Sequence, residues 1–398
     1  MFRSPDGKGN TKTNMLRYAI LAVLHLVLMA SCTDVDSDKE LVMAFVVNRH
    51  GERSPDADEL SLSDQKEKLK NLTYIEGLEG LTNTGKRRAF QLGKFIRQRY
   101  GSKGFGLLSD IYFHEEIALR STDKERTKMT AQMAMAALYP PTSEQQWDEF
   151  LGKLWQPVPY TAVPLSEDYL RYYSNCKRFR DLITKAKAEA IKGEFQQYQD
   201  LVTLVKKETG RDFNEDPLLF QTLFDLFRSE TSLGLDIPEW AKPLMPKLGE
   251  AARLAYRLYF RNNEMKKIGG GVILNDFVKA ATDIAADKKV KKPFRMYSAH
   301  DFNLGALMEV TKVIRHEQSI PEYGSLFGIE LYKSKSTGEL SVMPIYLPRA
   351  GDSEVQSLHF TGCETSSYCD FKKFQQMTKE YLLPEKEFYK ICNIRTEL

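Results

Sequence analysis

Two arginines, a histidine and a glycine fall together in Arg49-His50-Gly51-Glu52-Arg53, followed by Ser54-Pro55. Guanidinium forks match phosphate oxygens in paired, charge-assisted hydrogen bonds. An imidazole among fixed cations stays neutral, and therefore nucleophilic, into mildly acidic solution. The glycine lets backbone approach a ligand closely. Arg120, in Arg120-Ser121-Thr122, would add a third guanidinium, and His300-Asp301 would bring a further donor and a carboxyl. Phosphoryl transfer spreads negative charge over three oxygens, so positioned cations do most of its catalysis. In this reading His50 attacks phosphorus, while Arg49, Arg53, Arg120 and His300 hold the phosphate. Asp301, while protonated, gives a proton to the leaving alcohol and then serves as base for water. The scheme calls for no metal or other cofactor.

Each of these stretches follows a strand signal. Leu41 to Val47 is an unbroken apolar, β-branched run, as expected of a strand covered on both faces. Ile111 to Leu119 and Phe294 to Ser298 read as two more strands, ending at Arg120 and His300-Asp301. In open α/β sheets ligands bind beyond the carboxyl ends of strands. A solvated basic turn has no reason to follow a buried strand. Arg120 alone would read as a surface residue, and a lone His-Asp pair is weak; their weight comes from sharing strand ends. A helix is expected from Thr84 to Tyr100. Another follows Thr122-Asp123-Lys124-Glu125, which has capping-box spacing, and Pro140-Pro141 stops it. Residues 142–260 are proline-spaced and then charged and amphipathic, as in a helical insertion. Strand signals return at Gly328 to Tyr332 and Leu340 to Tyr346. The expected fold class is α/β: a catalytic domain split between 41–141 and 261–398, interrupted by a smaller, mostly α-helical domain at 142–260.

The 398 residues are 42% hydrophobic and 28% charged, which excludes disorder and a disulfide-dependent miniprotein. The net charge is +3, and Arg3, Lys8, Lys12 and Arg17 against Asp6 account for all of it. A neutral body has no bulk electrostatic reason to bind nucleic acid or an anionic membrane. Tyr18 to Met29 is apolar apart from His25, too short for the roughly 20 residues of a membrane span. Residues 1–31 therefore read as a secretory signal, with Met15 as an alternative start and an uncleaved anchor as the competing reading. No stable membrane insertion is expected after cleavage. Cys32 sits at the cleavage region, where it is either lost or a candidate for lipid modification. Cys176, Cys363, Cys369 and Cys392 remain, an even set suited to an oxidising compartment. The expected pairing is a local Cys363–Cys369 clip and a long Cys176–Cys392 tie.

Arg49-His50-Gly51-Glu52-Arg53-Ser54-Pro55 resembles the R-H-G-x-R-x-P signature of histidine acid phosphatases, and His300-Asp301 their H-D motif. Arg120 to Thr127 resembles the segment that carries the family's third phosphate-binding arginine. Leu154 to Pro159, Pro164 to Asp168 and Gly269 to Asn275 are similar to the prostatic and lysosomal branch. The resemblance implies a three-layer α/β/α sandwich like phosphoglycerate mutase, with a helical domain. It further implies hydrolysis of small-molecule or phosphoprotein phosphate monoesters through a phosphohistidine, with a secreted or lysosomal/vacuolar-lumen location. A homodimer is possible on the same grounds. A narrower phosphatase, for phytate or lysophosphatidate, is the alternative, and an inactive phosphate-binding protein a more distant one. Ser229 and Leu326 stand where the animal enzymes carry a further disulfide, and Glu52 where close relatives more often have Asp. That last change is expected at the pocket mouth.

Other motifs carry less. Gly80 to Lys86 has P-loop-like spacing, but Arg87 replaces the required Ser or Thr. Asp34 to Asp38 begins like a calcium loop, but Lys39 replaces its turn glycine. His114-Glu115-Glu116 lacks a second histidine for zinc, and His316 and His359 have no motif company. Asn71-Leu72-Thr73 is a glycosylation sequon.

Overall fold

Strand β1 (Lys39–Arg49) sends alternate side chains into two separate cores. Met43, Phe45 and Val47 enter one, and Ala44 and Val46 enter the other. A run with no polar alternation needs apolar cover on both faces. That cover arrives in order along the chain: α1 (Ala57–Leu62), α2 (Asn83–Tyr100), β2 (Ile117–Ser121) and α3 (Glu125–Leu138). The chain continues through α4 (Lys177–Lys192), α5 (Gln199–Thr209), α6 (Leu219–Ser232), α7 (Met245–Arg257) and α8 (Asn263–Ala285). It then returns to the sheet with β3 (Phe294–Ala299), α9 (Asp301–Val310), β4 (Leu326–Ser334), β5 (Leu340–Leu347), β6 (Gln356–Ser357) and β7 (Cys369–Asp370). The computed structural model describes residues 36–314 and 319–395. The signal-peptide reading, Cys32 and His316 lie outside them.

The sheet runs β2-β3-β1-β4-β5-β6, with β7 also paired to β5. β1 and β2 both pair with β3 in parallel. Arg49 lies opposite Ala299, and Ser121 opposite Ser298, so three strands end at one edge. α2 and α3 cover one face through Leu92, Ile96, Ala131 and Ala134. α8 and α9 cover the other through Phe277 and Leu304, in a core shared with the helices of 142–260. The layers are thus α/β/α. Residues Glu40–Leu398 form one compact unit by contacts, with the helical segment packed onto the sheet core. Among the described residues, Cys176–Cys392 and Cys363–Cys369 form disulfides. No described helix is long and apolar enough to cross a membrane.

Two local expectations need correction. The strand expected at Ile111–Leu119 is β2, Ile117–Ser121; only its last part has the alternation of a strand. The Thr122 capping box does not form. Lys124 is the N-cap of α3, and the Thr122 hydroxyl instead meets Thr127 Oγ1 and His300 Nε2.

Candidate active site

His50 follows the last residue of β1 and is 2% exposed. Its Nδ1 lies 2.8 Å from the Gly51 carbonyl oxygen, which only accepts, so Nδ1 carries the proton. The lone pair is then on Nε2, and Arg126 Nε–H donates to that atom at 3.1 Å. Burial, followed by the charges of Arg126, Arg49 and Arg53, holds the imidazole well below its ordinary pKa. An arginine next to a neutral ring nitrogen leaves that nitrogen able to attack once an anion draws the guanidinium away.

Gly51 is required by packing rather than by a ligand. A Cβ there would lie 2.3 Å from the Gly85 carbonyl oxygen at the start of α2. A Cβ on Gly85 would in turn lie 2.1 Å from the Glu52 carbonyl oxygen. The P-loop-like stretch is thus the place where α2 meets the His50 loop backbone to backbone. Glu52 is also buried away from the mouth. Arg88 and Arg349 hold its carboxylate at 3.0 and 2.9 Å, so the expected effect of Glu52 on the pocket rim has no structural basis.

His50 shares a pocket of about 240 Å³ with Arg49, Arg53, Arg126, His300 and Asp301. The His50 and His300 rings are 5.5 Å apart, edge to face. Arg49 donates to the Pro321 carbonyl at 2.6 Å, and its other terminal nitrogen lies 3.4 Å from Asp301 Oδ2. Arg53 forks onto Glu59 of α1 at 2.7 and 2.6 Å. The Ser229 hydroxyl of α6 holds the Arg53 carbonyl at 2.8 Å. Asp225, also on α6, pairs with Arg228 at 2.9 Å and lies 3.7 Å from Arg49. Arginines, carboxylates and helix α6 thus brace one another around the opening.

His300 lies between β3 and α9, and Asp301 is the first residue of α9. Its Oδ1 accepts from the Phe302 amide at 3.0 Å, as suits a carboxylate at a helix N-terminus. His300 Nε2 is 3.1 Å from Thr122 Oγ1 and 3.4 Å from Arg171. Burial and the neighbouring Arg126 and Arg171 keep His300 neutral well below its ordinary pKa.

Arg120 does not join the cluster. β2 buries Ile117, Leu119 and Ser121 on one face, which turns Arg120 to the other. There its guanidinium pairs with Asp168 at 2.7 Å and stacks 3.8 Å above the Tyr169 ring. The third guanidinium beside His50 belongs to Arg126, the second residue of the following helix. Glu79 anchors it at 2.7 Å and also receives Lys124 at 2.8 Å. Glu79 adopts φ 60°, a left-handed conformation strained for a non-glycine residue, which is a frequent feature of site-lining backbone. Burial would raise the Glu79 carboxyl, but hydrogen bonds from Lys124 and Arg126 outweigh it and hold the pKa at about 2. Sequence reasoning missed Arg126 and Arg171. A signal for Arg126 was present: it falls on the same helical stripe as Thr130 and Ala134, and a charged residue on a buried stripe needs a reason.

The family model for the histidine phosphatase superfamily (branch 2) matches residues 40–344. The human prostatic acid phosphatase is 32% identical over 349 residues, covering 85% of each chain. A venom acid phosphatase from Apis mellifera is 29% identical over 381 residues, covering 95% of this chain and 92% of that one. Human lysosomal acid phosphatase is 29% identical over 94% of this chain and 85% of its own. Among solved structures, a Klebsiella phytase superposes with a TM-score of 0.65 at 16% identity, covering 88% of this chain and 97% of that chain. A Hafnia alvei phytase with bound tartrate gives 0.62 at 15% identity, over 88% and 99%.

Proposed function

Because this chain belongs to branch 2 of the histidine phosphatase superfamily and is a phosphatase, we propose that it hydrolyses phosphate monoesters through a phosphohistidine at His50. The Nε2–P bond forms as the ester P–O bond breaks, and the Asp301 proton goes to the leaving oxygen. Water then attacks phosphorus, the Nε2–P bond breaks, and Asp301 takes the water proton. Arg49, Arg53 and Arg126, with His300, hold the phosphate oxygens throughout. In this role Arg126 replaces Arg120.

The observation that carries this reading is the His50 tautomer. With Nδ1 fixed on the Gly51 carbonyl, the Nε2 lone pair, which accepts from Arg126, lies in a pocket whose buried arginines suit an anion. The depressed pKa of His50 supports turnover in acid, because the nucleophile stays unprotonated there. The two disulfides support a secreted or lysosomal-lumen setting.

The test is hydrolysis of a chromogenic aryl phosphate near pH 5, with chelator present, by wild type and His50→Ala. Wild type should turn over robustly and the variant should not. Activity that survives the substitution removes His50 as nucleophile. Asp301→Asn should hurt alkyl esters far more than aryl esters, since an aryl oxide leaves with little protonation. Equal losses would rule Asp301 out as the donor.

A further inference from the structure

The run Asp287-Lys288-Lys289-Val290-Lys291-Lys292-Pro293 links α8 to β3 and plays no part in the chemistry at His50. Its backbone is fixed. The Lys288 amide donates to the Asp283 carbonyl at 2.9 Å, and the Lys292 amide to the Glu115 carbonyl at 2.7 Å. Asp287 and Lys292 adopt φ 54° and 55°, left-handed conformations that side-chain-bearing residues hold only where the surroundings impose them. Val290 is half-buried against the core, and the four lysines around it are exposed. The loop walls an opening of about 330 Å³, lined by Asp276, Lys279 and Asp283 of α8 and by Lys289, Lys291 and Arg295. A second opening of about 230 Å³ shares Asp276, Lys291 and Arg295 with it and adds Lys292 and Arg120. The acids here are largely taken. Lys288 holds Asp283 at 3.0 Å, Lys291 lies 3.8 Å from Glu115, and Lys333 lies 3.5 Å from Asp287. Burial raises the pKa of the Asp276 carboxyl, which disfavours its negative charge. Lys279, Lys289, Lys292 and Arg295 make no ion pair among the described residues.

We infer that this groove binds a linear sulfated polysaccharide, at a place separate from the catalytic pocket. Short lysine-rich runs mark polyanion patches, and here the run sits on ordered backbone, so little entropy is lost when a ligand fixes it. Two features favour sulfate as the anion. A sulfate ester keeps its charge at the acidic pH where His50 stays neutral, whereas carboxylates lose theirs near pH 4. The disulfides fit a secreted or lumenal setting, where sulfated polysaccharides rather than nucleic acids are the common polyanions. The lysines precede β3, and His300 follows its far end. From Arg295 to His300 the strand advances about 16 Å, at about 3.3 Å per residue. A chain lying along the groove therefore leaves the phosphate pocket open, and the enzyme can be held on a polysaccharide while it turns over.

The test is titration of a fluorescent heparin octasaccharide into the enzyme, with excess inorganic phosphate present to occupy the His50 pocket. Wild type should bind it, and the fully desulfated octasaccharide should not bind. Affinity should fall with salt at a log–log slope of about −3, as four neutralised charges give at about 0.7–0.9 each. Lys289→Gln/Lys291→Gln/Lys292→Gln should weaken binding by about tenfold or more, each exposed contact contributing about two- to fivefold. Its aryl phosphatase activity should match wild type, which also reports that it is folded. Lys279→Gln, on the α8 wall, should weaken binding by about two- to fivefold on its own. The charge-matched control Lys185→Gln/Lys192→Gln/Lys207→Gln, on α4 and α5, should change it by less than about twofold. With phosphate left out, saturating octasaccharide should leave the KM for aryl phosphate unchanged. Three results overturn this assignment. One is a competitive rise in KM, which puts the octasaccharide in the His50 pocket. Another is equal affinity in the groove and control variants. The third is an oligothymidylate of the same charge that binds as tightly and weakens in the same variants, which makes the groove a reader of charge alone.

Discussion

Replacing Arg126 by glutamine should cost about 10²–10³ in kcat/KM, as the loss of one preorganised donor to a transition-state anion does. Two independent routes give a similar size. That rate loss corresponds to about 2.7–4 kcal/mol. Two unit charges about 4 Å apart in a medium of effective dielectric about 20 interact by about 4 kcal/mol. Arg126 also lies 3.1 Å from His50 Nε2, and after burial it is the largest influence holding that imidazole down. Its charge disfavours the protonated ring, so removing it raises the His50 pKa and moves the acid limb of the pH–rate profile to higher pH. The shift should be partial, because burial remains. Arg120→Met provides the contrast. It should change kcat/KM by less than about threefold yet lower the melting temperature, because Asp168 would be left buried without its partner, a defect of about 3–5 kcal/mol. Steady-state kinetics from pH 3 to 7, with thermal melts of both variants, give the answer. If folded Arg120→Met loses as much activity as Arg126→Gln, or if Arg126→Gln leaves the acid limb where it was, the assignment of the third guanidinium is wrong.

Gly51→Ala should abolish soluble expression or reduce stability by more than about 3 kcal/mol, since its Cβ would overlap the Gly85 backbone; a normal melt would show that the loop has room to shift. Burial pushes the Glu230 carboxyl up to about 7, with Ser63 as its hydrogen-bond partner. A carboxyl raised on folding contributes fully below its unfolded pKa near 4.5 and loses that contribution as pH rises through 7. Relative to wild type, Glu230→Gln should therefore gain on the order of 1–3 kcal/mol between pH 4.5 and 7.5, a gain that urea melts at the two pH values would reveal or deny. The double variant Cys176→Ala/Cys392→Ala opens a 216-residue closure and should lower stability by about 2–5 kcal/mol, measured by the same melts.

Most of the architecture is readable because burial on two faces leaves a blunt signature. An apolar run with no alternation requires a covered strand, and β1 is one. The convergence of His50, His300 and Asp301 follows from parallel strands ending at one edge. The misplacement of Arg120 has an equally simple cause. A strand residue's side is set by register, and a shift of one position reverses it. The sequence stretch held two arginines six residues apart, one on a strand and one on a helix. Only the buried face of α3 distinguishes them. Arg171 and Glu79 were not legible at all, since a loop conformation with positive φ brings Glu79 to Arg126 across 47 positions of chain. Glu52 misled for the opposite reason: it stands inside the motif, yet its partners Arg88 and Arg349 lie far along the chain.

The mechanism comes down to one covalent bond, and rapid acid-free quenching during turnover of a ³²P-labelled aryl phosphate looks for it directly. Label should appear on the peptide containing His50, attached at Nε2, stable to alkali and lost in mild acid. The same peptide from His50→Ala should be unlabelled. Label on another residue, on Nδ1, or on no residue while product accumulates at the wild-type rate would contradict a phosphohistidine at His50.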